Sequence, residues 1–198
     1  MQIQTPRRLG TKLGVTAAAL LLFTGVLSVT AMGLFTDSDT VPANAFSTAT
    51  VSLTTSPTTG LITFTGMVPG DQVTAPLTVT NNGSAALRYA VTSTTTENTL
   101  ATQLALTVKT GVTTCTSAGF GASGTVVYGP APLGNTVPLA IIGNTAQGAQ
   151  AGDRALASGT NESLCFNVSL PIGTDNTFQN LSTTATFTFA SEQTANNP

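Results

Sequence analysis

The chain has 198 residues, of which only 7% are charged and none is histidine, and its net charge is −2. Without histidine there is no Ser-His-Asp triad, no Cys-His pair and no H-E-x-x-H zinc helix. Beyond residue 33 the cations are Arg88, Lys109 and Arg154 against all eight carboxylates, a net −5, so the clustered positive charge that nucleic acid or anionic lipid requires is missing.

The first element is an export signal. Arg7, Arg8 and Lys12 precede a mostly apolar run from Leu13 to Leu34, centred on Ala17–Phe23. This is the layout of a secretory signal peptide. Its roughly 21 residues would also span a bilayer core, so cleavage and retention as an anchor are both compatible with its length. Thr16, Thr24, Gly25, Ser28 and Thr30 dilute the apolarity and favour cleavage. Ala31-Met32-Gly33 fits a small-x-small cut site between Gly33 and Leu34. The pair Arg7-Arg8 has poor twin-arginine surroundings and reads as an ordinary basic n-region.

After the signal, helical periodicity gives way to alternation. Strands are expected at Ala49–Leu53, Leu61–Phe64, Pro76–Thr80, Ala86–Val91, Leu104–Lys109, Thr125–Tyr128, Leu139–Ile142, Leu164–Leu170 and Thr183–Phe189. They are rich in β-branched and aromatic residues and separated by Gly, Pro and Asn clusters. Asn81-Asn82-Gly83-Ser84 is the strongest turn signal. Pro69-Gly70-Asp71 reads as a turn before the strand near Val73. Gly119–Gly124 and Pro130–Gly152 read as long loops, Ala146–Ala157 as a short helix, and 194–198 as a frayed tail. About eight short strands with such connections indicate an all-β fold, an antiparallel β-sandwich in one domain over 46–193.

Few residues invite chemistry. In an exported chain, Cys115 and Cys165 suggest a disulfide, two buried thiols being the alternative. Asp37 and Asp39 could help hold calcium or form a solvated turn. The other carboxylates, Asp71, Glu97, Asp153, Glu162, Asp175 and Glu192, are too scattered to mark a hydrolytic pair. No cofactor is expected.

Several pieces, in order, resemble the TasA/camelysin family of Gram-positive secreted proteins. They are Leu34-Phe35-Thr36-Asp37 after the signal, Asn44-Ala-Phe46 leading to Thr50-Val51-Ser-Leu53, Met67-Val-Pro69-Gly70-Asp71, Val79-Thr-Asn81-Asn82-Gly83-Ser84, and Thr184-Ala-Thr-Phe187-Thr-Phe189-Ala-Ser-Glu192-Gln193. The resemblance implies a jelly-roll sandwich, removal of 1–33 by a SipW-like signal peptidase, and a secreted or cell-surface location. It further implies self-assembly into biofilm-type fibres. The donor strand would be Leu34, Phe35, Thr36 and Asp37 within 34–45, passed to the next subunit by β-augmentation; packing of that segment on its own domain is the alternative. Camelysin also carries a metallo-endopeptidase label, but the chain offers no histidine for a zinc site, and no catalytic residue carries over. A cell-surface protease and a monomeric adhesion module remain the competing classes.

Overall fold

The structure is a computed structural model that describes residues 47–58, 60–62 and 66–198. The signal, the Gly33–Leu34 junction, the segment 34–45 with Phe35, Thr36 and Asp37, and the second half of the expected 61–64 strand lie outside the described residues. Nine strands are described: β1 (Leu53–Ser56), β2 (Gln72–Asn81), β3 (Leu87–Thr95), β4 (Ala105–Thr110), β5 (Thr125–Pro132), β6 (Leu139–Ile142), β7 (Arg154–Leu156), β8 (Asn161–Ser169) and β9 (Ala185–Gln193). Helices α1 (Thr99–Gln103) and α2 (Ser117–Ala122) are short. Among the described residues no helix is long and apolar enough to cross a membrane.

One sheet has the order β1-β2-β8-β4-β5. In the other, β9 runs along one side of β3, and β6 and β7 share its opposite side. All of these ladders are antiparallel. The chain crosses between sheets after β2, β3, β5, β7 and β8, the winding of a jelly roll. Inward residues follow period two. On β2 they are Leu77 and Val79, on β4 Leu106 and Val108, and on β8 Leu164, Phe166 and Val168. Outward positions on β2, such as Thr74, Thr78 and Thr80, are hydroxylated, which suits a pleated strand facing water. The rings of Phe166 on β8 and Phe187 on β9 meet across the layers with centroids 5.1 Å apart.

The expected strand at Ala49–Leu53 starts only at Leu53, because β2 ends opposite it at Asn81. Residues 50–52 bond instead to the corner that follows: Ala85 N to Thr50 O (3.2 Å), Asn82 N to Ser52 O (2.8 Å) and Thr50 N to Ser84 Oγ (2.9 Å). Asn81-Asn82-Gly83-Ser84 therefore joins two sheets rather than closing a hairpin. The Asn81 side chain, fully buried, organises the corner. Its amide donates to Ala85 O, Leu156 O and Ala157 O, and its oxygen accepts from Gly83 N (2.9 Å). Gly83 is required because a Cβ there would collide with the Thr50 carbonyl.

Gly119–Gly124 is largely helix α2, not a flexible loop. Thr116 Oγ1 caps it at Gly119 N (3.2 Å), and Lys109 Nζ donates to Phe120 O (2.6 Å) at its end. Gly119 permits close packing on Thr114 rather than looseness. The expected helix at Ala146–Ala157 is absent. Gly148 and Gly152 have φ of +95° and +86°, which a right-handed helix excludes, and Arg154–Leu156 is β7. The Asp153 carboxylate accepts from Asn144 N and Gln150 N, both at 2.9 Å, and sets that loop. Residues 194–198, expected to fray, are tied down. Thr194 N donates to Ala86 O (3.1 Å) and the Arg88 guanidinium donates to Asn197 O.

Candidate functional site

The residues singled out by sequence do not converge. Pro69-Gly70-Asp71 is a turn at one end of the sandwich. Asp71 N donates to Val68 O and Asp71 Oδ2 accepts from Val68 N, both at 2.9 Å, while Gly70 has φ of +98°, the conformation glycine supplies. Cys115 and Cys165 are joined, with Cα atoms 5.6 Å apart, and pin the α2 excursion to the outer face of β8.

The carboxylates of the described residues, Asp71 onward, are each occupied by structure. Glu97 accepts from Leu100 N and Ala101 N at 3.0 Å and opens α1; Asp175 accepts from Thr177 N at 2.8 Å. Glu192 pairs with the buried Arg88 at 2.6 Å. Glu162 faces the core from β8 and accepts from Tyr89 Oη (2.7 Å), Thr110 Oγ1 (2.9 Å) and the Arg154 guanidinium, tying both sheets together. Burial pushes the Glu162 carboxyl upward, but the hydrogen bonds from Arg154, Tyr89 and Thr110 outweigh it and hold it below its ordinary range. Burial first, then the adjacent Glu162, raises the Tyr89 phenol. Among the described residues no three His, Cys, Asp or Glu gather as a metal would require.

What the fold builds instead is a groove with apolar walls and a threonine rim at Thr55, Thr58, Thr183, Thr184 and Thr186. Strand β1 pairs only with the Thr78–Asn81 half of β2. The Gln72–Leu77 half has no partner on that side among the described residues, and neither has the outer edge of β9. Between these two edges lies a cleft of about 510 Å³. Its floor is Val73, Leu77 and Val168, and its far wall is Phe187 and Phe189. Both phenylalanines point inward yet remain only partly buried, as do Leu61, Ile62 and Met67 at the rim. Among the described residues no charged side chain lines it.

The edge facing this cleft is unprotected. From Ala185 to Ser191, β9 contains no Lys or Pro, and its register with β3 is unbroken from Gln193 to Ala185. Natural sheets blunt exposed edges with such residues or with bulges. At the other edge of the five-stranded sheet, β5 carries both devices, Pro130 and Pro132 together with register shifts against β4.

Alternation along Thr183–Phe189 puts Phe187 and Phe189 on one face, but Val73, Leu77, Met67 and Val168 carry no sign of a groove. Alternation marks an inward position without saying whether anything covers it.

The profile of the family described as camelysin metallo-endopeptidase matches residues 7–106, ending at the start of β4. Comparison with curated proteins returned no match. The matched stretch is half of the chain and contains β1 and β2, which flank the groove: the chain belongs to the camelysin metallo-endopeptidase family.

Proposed function

We propose that the protein is an exported structural subunit of an extracellular or cell-surface fibre, and that the groove between β2 and β9 receives the 34–45 strand of a second copy. The observation that carries this reading is a cleft with an apolar floor, flanked by two edges that are unpaired among the described residues, the arrangement that strand addition completes. An entering strand would bury Phe187 and Phe189 and bond to the free edge of β9 or of β2.

Strand direction supports insertion from another subunit. Both β2 and β9 run from the Pro69-Gly70-Asp71 end toward the Asn81 end. The described chain begins at Ser47, beside the Asn81 end, where Thr50 is held by Ser84 and Ala85. A segment continuing back from Ser47 into its own groove would run parallel to both edges. The same segment leaving that end for the groove of a subunit stacked above it runs antiparallel, like every ladder in the fold. A contact of this kind is heterologous and does not close, so it propagates into a filament.

Export by cleavage near Gly33 with a SipW-like peptidase would free Leu34 to start the donated strand. Membrane attachment would then be confined to an uncleaved precursor.

The family's description favours a second reading, metal-dependent proteolysis. The donor set does not fit it. The chain has no histidine, its two cysteines are joined to each other, and the carboxylates from Asp71 onward are dispersed and engaged. Turnover of an unstructured protein by the purified mature chain, stopped by a chelator, would establish the protease instead.

The test of the fibre reading is polymerisation of the mature chain beginning near Leu34, followed by electron microscopy. Filaments are expected, and deletion of 34–45 is expected to abolish them. Equal polymerisation of the deleted form rules out strand donation.

A further inference from the structure

The two ends of the sandwich differ in what they show to water. Six large apolar residues are exposed among the described ones, and four lie on loops at the end where the groove opens. Val68 (59% exposed) is on the β1–β2 connection, Val137 (63%) on β5–β6, and Ile172 (85%) and Leu181 (41%) on β8–β9. The connections of this end contain no Lys or Arg, only Asp71, Glu97 and Asp175. The opposite end shows Val51 beside the polar corner Asn82–Ser84.

The backbone turns that carry Val68, Val137 and Ile172 are held in place. Leu170 N donates to Asp71 O (2.9 Å) and Gly70 N to Leu170 O (2.8 Å), so the turns carrying Val68 and Ile172 are bonded to each other. Ile172 Cδ1 lies over Gly70, where even a Cβ would be 3.0 Å away. Thr174 N donates to Pro171 O at 3.0 Å and closes the Ile172 turn. On the third loop, Asn135 O accepts from Thr95 N (2.8 Å) two residues before Val137. Anchored turns lose little backbone freedom when covered, which is how a contact surface differs from a loose loop.

We infer that this apolar end is a second contact between subunits, seated on the Val51 and Asn82–Ser84 end of the copy that donates the strand. The inference rests on the strand-donation reading, and chain length commits it to that occupant. About six residues fill the cleft along Gln72–Leu77, which leaves roughly six of 34–45 to reach Ser47 of the donor. Six extended residues span at most about 20 Å, so the donor's leading end is kept within that distance of this surface. Val68 follows Met67, itself a rim residue of the groove, and the two contacts are continuous.

The experiment compares the mature chain with its Ile172→Asp and Val137→Asp variants. Both sites are exposed, so thermal midpoints should not move. The critical concentration for filaments should rise roughly tenfold or more for Ile172→Asp, the loss expected of a central apolar anchor. Excess synthetic 34–45 peptide, added to wild type, reads the groove separately and should suppress filaments. If the peptide suppresses filaments while both variants polymerise like wild type, the end contact is wrong and strand donation stands. If the peptide is inert while the variants lose filaments, the end contact stands without the groove. Wild type that stays monomeric and ignores the peptide overturns both. Sedimentation of wild type with phosphatidylcholine vesicles, lost in Ile172→Asp while filaments persist, would assign the end to lipid and overturn the proposal.

Discussion

The two flanks of the core are built from similar residues and finished in opposite ways. On the flank formed by β6 and β7, Ile141, Ile142 and Leu156 are 2%, 3% and 6% exposed, and the Tyr89–Glu162–Arg154 cluster bonds one sheet to the other. On the flank between β2 and β9, larger side chains, Phe187 and Phe189, stop short of burial. A monomer optimised for its own stability would seal both flanks. One sealed and one open flank, the open one beside an unblunted strand edge, is what a subunit awaiting a strand requires. Stability and assembly should therefore map to different sides of one core.

The largest expected effect is one that both flanks share. The Cys115–Cys165 bond closes a separation of 50 residues. Reduction, or Cys115→Ser with Cys165→Ser, should cost about 4 kcal/mol on the chain-entropy account. Chemical denaturation with and without reductant measures it. Because the bond lies on the outer face of β8, away from the groove, strand acceptance by the still-folded fraction should be unaltered.

The next effect separates the flanks. Leu156→Ala on the sealed side should cost about 3 kcal/mol, the value for a buried leucine whose cavity cannot collapse. Phe189→Ala removes a larger side chain but should cost only about 1.5 kcal/mol, well below the usual range for a buried phenylalanine, because its site is already partly open. Denaturation midpoints would show this inverted order. Filament yield should show the opposite: Leu156→Ala assembles wherever it is folded, and Phe189→Ala does not. Equal costs, or equal assembly defects, would erase the distinction between the flanks.

Much of the architecture was legible in the sequence because alternation is local information. The strands near Pro76–Thr80, Leu104–Lys109, Leu139–Ile142 and Leu164–Leu170 all appear near their expected places. The glycines misled for a physical reason. Gly119 and Gly83 serve close approach, which no single sequence distinguishes from flexibility, whereas Gly148 and Gly152 bar a helix that the alanines and glutamine between them favour. The open flank was illegible because β1 covers only four residues of β2. Whether a strand has a neighbour depends on the lengths of other strands, and period two does not carry that. The apolar end was hidden likewise, since Val68, Val137 and the Ile172–Leu181 connection are far apart in sequence and reach one end of the sandwich only through topology.

The smallest expected effect concerns acid and the sealed flank alone. Glu162 is held below its ordinary value, so its contribution is present above about pH 4.5 and is lost as pH falls through the lowered folded value. The charged and titratable groups facing it are Arg154 and Tyr89; Arg154 keeps its charge throughout, and Tyr89 is raised away from the acid range. Glu162→Gln should thus flatten part of the acid decline in thermal midpoint and cost on the order of 1 kcal/mol at pH 7, a figure moderated by the 31% exposure of Arg154. Glu97, Glu192 and Asp175 are also held low, so a residual acid slope remains. Among the described residues no carboxylate lines the groove, so any difference in 34–45 peptide binding between pH 5 and pH 7, while the fold is intact, should come from the peptide's own Asp37 and Asp39 and vanish when both are replaced by Asn. Peptide affinity that tracks Glu162 titration would mean that the sealed flank controls the open one, and that the two sides of this core are coupled.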